Sequence, residues 1–501
     1  MGDQVDSTGV EMLEPAPVWR LFAGMAAVPR PSKSEERIRA HVRALAGERK
    51  FPVREDAAGN MVTEVPASPG CEQAPVTVLQ GHLDMVCEKN TGTGHDFERD
   101  PIKLIVDQDD EGEQIVRAEG TTLGADNGIG LAMAFAAASS PEVIHGPLEI
   151  LCTTDEEAGM TGAKALLPEF FKGRRLLNLD SEEDDVIYIG CAGGCDTTLT
   201  WEFAARPLAP AAELWRVALC GLRGGHSGGD IHLNRGNAIK LLTQALWAAD
   251  QGRLQLADIS GGSLRNAIPR EAGALVTGPA GLSETLGQAA QQVQAEAVRD
   301  NKEENCVIRV ERQSAGQALA ALSPEDTQLL LTTLIVLPHG VLAVVPQIAG
   351  LIQTSNNLAT VKAESASGGD RLRVTVGCLS RSSSADQMRA TARQIRAAGQ
   401  LAGAAVETGN DYPGWQPNMD SPILATCRRI YQELFAEEPK VTAVHAGLEC
   451  GLIGERIGGM DMVSVGPRIE GAHSPDERVY VASVQKSWKY LRAVLAELAR
   501  G

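Results

Sequence analysis

The sequence predicts an α/β protein in which a mixed, mostly parallel sheet flanked by helices forms one discontinuous domain, interrupted by an inserted α+β domain. Strand-like and helix-like segments alternate up to about residue 190, which is typical of parallel sheets. The next segments alternate polar and apolar residues, as half-exposed antiparallel strands do. From about residue 396 the first pattern returns, so we expect 1–197 and 396–501 to form the main domain and 198–395 the insertion.

The main domain is predicted to alternate strands and helices. Apolar, β-branched runs predict its strands, and Ala-rich or amphipathic runs predict its helices. The predicted strands are 75–80, 147–154, 174–180 and 461–466, and the predicted helices are 126–138 and 164–171.

The insertion combines alternating strands with longer helices, which favours an antiparallel sheet covered by helices. Its predicted strands are 196–205, 213–222 and 371–380, and its predicted helices are 238–250 and 384–403.

The composition is that of an acidic globular protein. A chain of 501 residues is longer than one hydrophobic core usually serves, which agrees with two domains. Its net charge of −19 would repel phosphate, so we expect no nucleic-acid partner and no anionic membrane partner.

The cysteines and the N-terminus favour a cytoplasmic protein. Ten cysteines without a C-x-x-C pair predict reduced thiols rather than a disulfide scaffold. The first residues lack the basic and apolar stretches of a signal peptide. The segment 328–361 has no charged residue, but Pro338, Gly340 and Pro346 interrupt it, so we expect two shorter buried elements and a loop rather than a membrane span.

Three consecutive acids end one predicted strand. The run LEILCTTDEEAG (148–159) is apolar until Asp155, Glu156 and Glu157. Such a cluster is usually a solvated helix start, where acids interact well with the helix dipole. The alternative is that a cation holds the carboxylates together.

Other polar residues follow strands in the same way. His82 and Asp84 come after strand 75–80, Asp126 precedes the Ala-rich helix, Asp180 follows strand 174–180, and His473 follows the last strand. Taken singly, Asp126 could be a helix N-cap and His473 a turn residue. Because the carboxyl ends of strands in an open α/β sheet converge on one crevice, the whole set can meet there.

Two imidazoles with several carboxylates suit Zn²⁺ or Mn²⁺ better than a structural zinc site, which favours thiolates. The acids exceed what one tetrahedral ion needs. A site with two ions roughly 3.5–4 Å apart and a bridging carboxylate accommodates them, and an acid left over can act as a general base.

The motifs resemble those of the co-catalytic di-zinc metallopeptidases that include aminoacylase, carboxypeptidase G and the carnosinases. Within that family the resemblance is to bacterial cytosolic aminoacyl-histidine dipeptidases, and it spans nearly the whole chain. The motifs that carry it are GHLDMV, GADNGIG, TDEEAG, NLDSEE and GAHSPDE, with KNTGTGHDFERDPIKL (89–104), GGHSGGDIHLNRGNAIKLL (224–242) and HAGLECGLI (445–453).

The resemblance implies two Zn²⁺ ions per chain, or Co²⁺ or Mn²⁺ with the same ligands. His82 and Asp180 would bind one ion, and His473 and Glu157 the other. Asp126 would bridge both.

It also implies the catalytic groups. Glu156 would be the general base that takes a proton from the attacking water and passes it to the leaving amine. Asp84 would orient the His82 ring, as carboxylates commonly do for metal-bound imidazoles. Asp155 would support the turn.

The insertion would be a lid that contributes to the substrate site. The resemblance implies that His226 stabilises the oxyanion and that Asn266 and Arg381 contact the substrate, since a dipeptide carboxylate suits an Arg fork. Glu449 could meet the substrate amine with His445 beside it, although both could equally be structural.

The sequence therefore predicts a cytoplasmic di-metal dipeptidase that prefers Xaa-His dipeptides such as carnosine. It favours a homodimer formed through the lid over a single chain whose enlarged lid replaces the partner. The alternatives are a hydrolase of the same fold acting on N-acyl amino acids or tripeptides, and a non-catalytic peptide-binding relative. The presence of all five proposed ligands and of Glu156 disfavours the last.

Overall fold

The computed structural model describes residues 8–208, 212–250, 252–313, 320–346, 348, 350–365 and 370–500. The chain folds into two compact units, each with its own core. The first unit contains residues 1–190, 417–443 and 448–501, and the second contains 191–416 and 444–447.

The first segment of the chain alternates helices and strands. Its helices are α1 (Thr8–Glu11), α2 (Ala16–Ala26), α3 (Glu36–Glu48), α4 (Ala125–Ser139), α5 (Glu156–Gly159) and α6 (Thr161–Ala165). Its strands are β1 (Val53–Glu55), β2 (Met61–Val65), β3 (Thr77–His82), β4 (Leu104–Gln108), β5 (Gln114–Ala118), β6 (Leu148–Thr153), β7 (Arg175–Asn178) and β8 (Val186–Cys191).

The second unit is richer in strands. They are β9 (Gly193–Ala204), β10 (Arg206–Pro207), β11 (Leu214–Cys220), β12 (Gly225–His226), β13 (Gln255–Gly261), β14 (Ala267–Ile268), β15 (Ala272–Thr277), β16 (Val307–Gln313), β17 (Ala320–Ala321), β18 (Gly340–Val344), β19 (Ile352–Ser365), β20 (Arg371–Ser382) and β21 (Ala405–Tyr412). Its helices are α7 (Ala238–Ala249), α8 (Leu282–Asn301), α9 (Pro324–Val336) and α10 (Ala385–Leu401), with a short 3₁₀ turn at Ile231–Leu233.

The last segment again alternates helices and strands, as the first segment does. Its elements are α11 (Pro422–Phe435), β22 (Lys440–Val444), α12 (Glu449–Ile457), β23 (Asp461–Ser464), β24 (Ile469–Glu470), β25 (Arg478–Tyr480) and α13 (Val481–Leu498).

The main sheet of the first unit is mixed, and its centre is parallel. The strand order is β1-β2-β6-β3-β7-β23-β8-β22. Strands β6, β3, β7 and β23 run parallel, whereas β1 and β2 are antiparallel additions at one edge. A mixed α/β sheet flanked by helices is confirmed. Because the central strands are parallel, their carboxyl ends share one edge, where His82 pairs with Thr153.

Helix α4 explains how one loop reaches that edge. It is almost wholly buried, because its Ala-rich sequence presents small side chains on every side, and it packs against α2 and β3. Its first turn departs from helical geometry at Asp126 and Asn127. The carboxylate of Asp126 therefore belongs to a loop-like turn at the edge of the sheet.

The second unit is built on a nine-stranded sheet whose main path runs β16-β11-β15-β13-β19-β20-β9-β21. Its described pairings are antiparallel, as the alternating sequence predicts. Helices α7 to α10 pack on its strands around one apolar core. Leu242, Leu256, Leu330 and Val376 lie fully buried in it.

Two segments differ from the sequence prediction. The sequence divides the chain at 197 and 395, but β9 begins at Gly193 and β21 pairs with it, so the second unit extends from 191 to 416. The predicted helix 164–171 is wrong, because α6 ends at Ala165. Pro168 disfavours helical geometry at the residue before it and cannot donate a backbone hydrogen bond.

The uncharged stretch 328–361 forms the end of α9, then β18, and then part of β19. Strand β19 is largely buried, but β18 is not. Among the residues the structure describes, no helix is both long enough and apolar enough to cross a membrane.

Candidate active site

Two histidines from distant parts of the chain contact one carboxylate. His82 ends β3, and its Nε2 lies 3.0 Å from Oδ1 of Asp126. His473 lies in the loop before β25, and its Nε2 is 3.2 Å from Oδ2 of the same residue. Asp126 therefore presents one oxygen to each imidazole.

A second carboxylate accompanies each imidazole. Oδ1 of Asp180, just beyond β7, lies 3.3 Å from Nε2 of His82. Oε2 of Glu157, in the turn after β6, lies 3.0 Å from Nε2 of His473. The structure thus brings together all five ligands that the sequence resemblance implies, in two His-carboxylate pairs that share Asp126.

The donor set fits divalent metal ions. Ligand atoms of His82, Asp126 and Glu157 all lie within 4.8 Å of one another. Oε1 of Glu157 is buried, and no described residue donates a hydrogen bond to it. Burial, with repulsion from Asp126 and Glu157, raises the pKa of Asp180 to about 7 despite the nearby His82. A cation would relieve this crowding of acids, and two imidazoles with carboxylates suit Zn²⁺, Co²⁺ or Mn²⁺.

Asp84 joins the His82 ring to the acidic turn. Its Oδ1 accepts the backbone N–H of Glu156 at 3.0 Å, and its Oδ2 accepts that of Glu157 at 3.1 Å. Oδ1 also lies 3.4 Å from Nδ1 of His82. Burial opposes its charge, but hydrogen bonds from His82, Ser32 and Glu156 hold the pKa of Asp84 at about 2.

Glu156 and Asp155 differ in environment although they are neighbours. Burial raises the pKa of Glu156 well above its usual value, with His82 opposing the shift and Asp180 adding to it. A carboxyl group in such a position can act as a general base and then as a general acid. Asp155 has a left-handed backbone (φ 53°), and its Oδ2 accepts the Thr161 hydroxyl at 2.7 Å, so it supports the turn.

In the second unit, the imidazole of His226 is held as a hydrogen-bond donor. Its Nδ1 accepts the backbone N–H of Gly229 at 3.0 Å and that of Gly228 at 3.3 Å. An Nδ1 that accepts leaves the proton on Nε2 in the neutral ring. Burial and the charge of Arg381 lower the pKa of His226, which favours that neutral form.

The other predicted residues of the second unit differ in accessibility. Asn266 is exposed, and its backbone carbonyl accepts the N–H of Ser227 at 2.8 Å. Arg381 is largely buried, donating from Nε to the Ser227 hydroxyl and from Nη1 to Tyr412 at 2.8 Å. His445 is buried, and its Nε2 lies 2.7 Å from the Ser355 hydroxyl.

Comparison with known proteins decides the family. Residues 78–497 match the family model described as Peptidase family M20/M25/M40. The cytosol non-specific dipeptidase of Escherichia coli (strain K12) is 40% identical over 493 residues, which cover 98% of this chain and 99% of that protein. The chain belongs to peptidase family M20/M25/M40.

Solved structures of relatives agree with this family. The crystal structure of aminoacylhistidine dipeptidase from Vibrio alginolyticus has a TM-score of 0.89 and 40% identity, over 97% of this chain and 98% of that chain. A tripeptidase from Staphylococcus aureus has a TM-score of 0.60 at 14% identity, over 98% of this chain and all of that one, which shows the shared fold alone.

Glu449 lies inside the first unit of this M20 peptidase. It starts α12, is 0% exposed, and accepts hydrogen bonds from Gln80 at 2.7 Å and from the Thr153 hydroxyl at 2.5 Å. Burial raises its pKa to about 8. The contacts seen here are structural, and its contact with a substrate amine stays a prediction.

The sequence analysis did not single out Glu477, which holds the Asp126 turn. Its two carboxylate oxygens accept the backbone N–H groups of four consecutive residues, Leu123 to Asp126, at 2.7–3.3 Å. The signal for it was present, since an acid four residues after His473 lies in the same motif.

Arg30 was also missed, and nothing around it in the sequence indicates its role. It is buried, and its guanidinium donates to the carbonyls of Leu83, Asp84 and Gly124. It therefore connects the turn after His82 to the loop that carries Asp126.

Proposed function

We propose that this M20 peptidase is a cytoplasmic di-metal dipeptidase that prefers Xaa-His dipeptides such as carnosine. The observation that carries the proposal is Asp126 lying between two His-carboxylate pairs, with one oxygen toward each. Two 40% identical relatives are named dipeptidases, which supports dipeptides as substrates, and the name aminoacylhistidine dipeptidase of one of them supports the preference for His. The word cytosol in the name of the other supports the location.

Five residues would hold the ions. His82 and Asp180 would hold one, His473 and Glu157 the other, and Asp126 both. Zn²⁺ is our first assignment, with Co²⁺ or Mn²⁺ as substitutes. Such ions polarise a scissile carbonyl and lower the pKa of an attacking water.

Glu156 would carry the proton. Its carboxylate would take one proton from the attacking water as the oxygen bonds to the carbonyl carbon, and would return it to the leaving nitrogen as the C–N bond breaks. Asp84 supports this, because it fixes the backbone of Glu156 and faces the His82 ring.

His226 would stabilise the oxyanion. Because its Nδ1 accepts from Gly228 and Gly229, its Nε2–H is available to a developing negative charge. Arg381 would bind the substrate carboxylate, since no described residue accepts a hydrogen bond from its Nη2. Asn266 and His445 would make the remaining contacts with the substrate.

We also propose a homodimer formed through the second unit. In β18, Val341 is 40% exposed, Leu342 41% and Val344 55%, and the surrounding stretch 328–361 has no charge. In a chain of net charge −19, an uncharged apolar surface is where two copies meet with least repulsion. Sedimentation equilibrium would measure the assembly directly.

The decisive experiment is hydrolysis of a peptide panel by the full chain. The panel contains carnosine, Gly-His, dipeptides without His, a tripeptide and N-acetyl-histidine, assayed with zinc and after chelation. Glu156→Gln is compared with Glu169→Gln, a matched change at an exposed position. We expect Xaa-His cleavage that chelation and Glu156→Gln abolish, with bound metal retained in Glu156→Gln and full activity in Glu169→Gln.

Other outcomes would contradict defined parts of the proposal. Equal cleavage of all dipeptides would remove the His preference and keep the dipeptidase. Cleavage of only the tripeptide or the N-acyl substrate would replace the dipeptidase by the alternative hydrolase. Two bound ions without any hydrolysis would favour a binding protein.

A further inference from the structure

We propose that Glu303 is a positioning residue that fixes the imidazole of His226 by clasping both ends of its loop. The loop runs from Arg223 to Gly236 in the second unit. The proposal rests on the function proposed above for His226, which this loop carries.

The clasp uses both oxygens of one buried carboxylate. Oε2 of Glu303 accepts the backbone N–H of Arg223 at 2.9 Å, and Oε1 accepts that of Gly236 at 2.9 Å. These two donors are thirteen positions apart along the chain, so one side chain closes the loop. Glu303 is 1% exposed, so water does not compete for these hydrogen bonds.

The end of helix α8 adds further attachments. Asn301, the last residue of α8, donates from Nδ2 to the Asn234 carbonyl at 2.8 Å and accepts from Arg223 Nη2 at 2.8 Å. The backbone of Glu303 is fixed in turn, since its N–H donates to the Ala297 carbonyl at 3.2 Å. The loop is therefore held on the rigid end of a long helix.

Inside the loop, further hydrogen bonds and an ion pair fix the backbone of His226. Its backbone N–H donates to Oδ2 of Asp230 at 2.8 Å, and Oδ1 of Asp230 lies 3.1 Å from Arg235. Arg235 also donates to the Gly224 carbonyl at 2.6 Å. Gly225 packs closely against this pair, because a Cβ there would lie 2.3 Å from Nη1 of Arg235 and 2.6 Å from Oδ2 of Asp230. A displacement of the loop ends would thus be transmitted to the imidazole.

A carboxylate suits this position better than an amide. Both clasped groups are backbone donors, so both side-chain atoms must accept. In Glu303→Gln the amide oxygen can serve one donor, but the NH₂ group faces the other N–H and repels it. One end of the loop would be released while the size of the side chain is unchanged.

The test is a double-mutant cycle on the full, metal-loaded enzyme, using Glu303→Gln, His226→Ala and the double variant with the dipeptide cleaved best. We expect Glu303→Gln to lower kcat by about 10–100-fold, the effect of a small misplacement of a catalytic group. We expect KM and metal content to change little. With His226 already removed, Glu303→Gln should lower kcat by less than about twofold, because groups that act as a unit are not additive.

Equal losses of kcat with and without His226 would overturn the proposal, since a merely structural effect is independent of that imidazole. Glu304→Gln is the matched control, because this neighbouring glutamate is exposed. If Glu303→Gln fails to fold, Asn301→Ala, which removes one attachment of the same loop, takes its place in the cycle. An unchanged kcat in the folded variant also overturns the proposal.

Two other outcomes would contradict the proposed function instead. A fully active His226→Ala would contradict the role proposed for His226, and no hydrolysis by the unmodified chain would contradict the dipeptidase activity itself.

Discussion

At the scale of the residue, the acidic run after β6 is three carboxylates in three environments. Asp155 supports the turn through Thr161, and Glu157 faces His473. Glu156, which lies between them in the sequence, has a pKa that burial raises. Asp84 gives the run its geometry, since it accepts the backbone N–H groups of the two glutamates. One buried carboxylate therefore organises the proposed general base and a proposed ligand together.

The exchange Asp84→Asn tests this arrangement. An amide would replace one acceptor by a donor that faces a backbone N–H, and would weaken the contact with His82. We expect kcat/KM or metal affinity to fall by about 10–100-fold, the usual effect of losing a partner behind a metal ligand. Steady-state kinetics and a metal titration measure both quantities. Asp110→Asn, at an exposed turn, should change neither, and wild-type values in Asp84→Asn would show that the carboxylate is dispensable.

At the scale of the element, the site depends on how closely α4 approaches the end of β7. Gly130 faces the Leu179 carbonyl, and a Cβ there would lie 2.2 Å from that oxygen. Asn127 also donates to this carbonyl at 2.7 Å. Asp126 lies in the first turn of α4 and Asp180 follows β7, so the close approach sets the spacing between two proposed ligands.

Gly130→Ala should push α4 away from β7. We expect a loss of about 1–3 kcal/mol in the free energy of unfolding, the usual effect of overpacking, together with weaker metal binding. Chemical denaturation and metal titration measure the two effects. Gly47→Ala is the matched control, because Gly47 is helical and its added Cβ would meet nothing within 4 Å. That change should be neutral or stabilising, and equal behaviour of the two variants would contradict the packing argument.

At the scale of the whole molecule, stability at acid pH depends on buried histidine as well as on carboxylates. His445 is 8% exposed, and burial, reinforced by the charge of Arg381, lowers its pKa to about 3. In the unfolded chain the ring titrates near pH 6.5. Between these two values the unfolded state binds a proton that the folded state does not. Stability from this group is therefore complete above about pH 6.5 and is lost as the pH falls toward 3.

His445→Gln should flatten that dependence. A single histidine of this kind changes the free energy of unfolding by about 1.4 kcal/mol per pH unit. Between pH 7 and pH 5 we expect the unmodified protein to lose about 2 kcal/mol more than the variant, as measured by denaturant unfolding at both pH values. The exposed His232 provides the control exchange, His232→Gln. If His445→Gln and the unmodified protein lose stability equally between pH 7 and pH 5, the pKa of His445 does not differ between the folded and unfolded states.

The sequence by itself determined the α/β class, the insertion, and the set of residues at strand ends. These follow from local patterns, since apolar periodicity reports which face of an element is buried, and the motifs are short. Parallel pairing of β3, β6 and β7 then makes the meeting of His82, Asp180 and Glu157 a direct consequence of topology.

Only the tertiary structure decided which distant groups hold those residues in place. Glu477 accepts from a turn more than 350 positions earlier in the chain, Arg30 joins two loops, and Glu303 closes a third. It also showed that α6 stops before Pro168 and that β21 remains in the second unit. Each of these features depends on backbone groups of segments that are remote in the sequence. Every residue except proline has the same backbone N–H and carbonyl, so the sequence does not indicate which side chain will bind them.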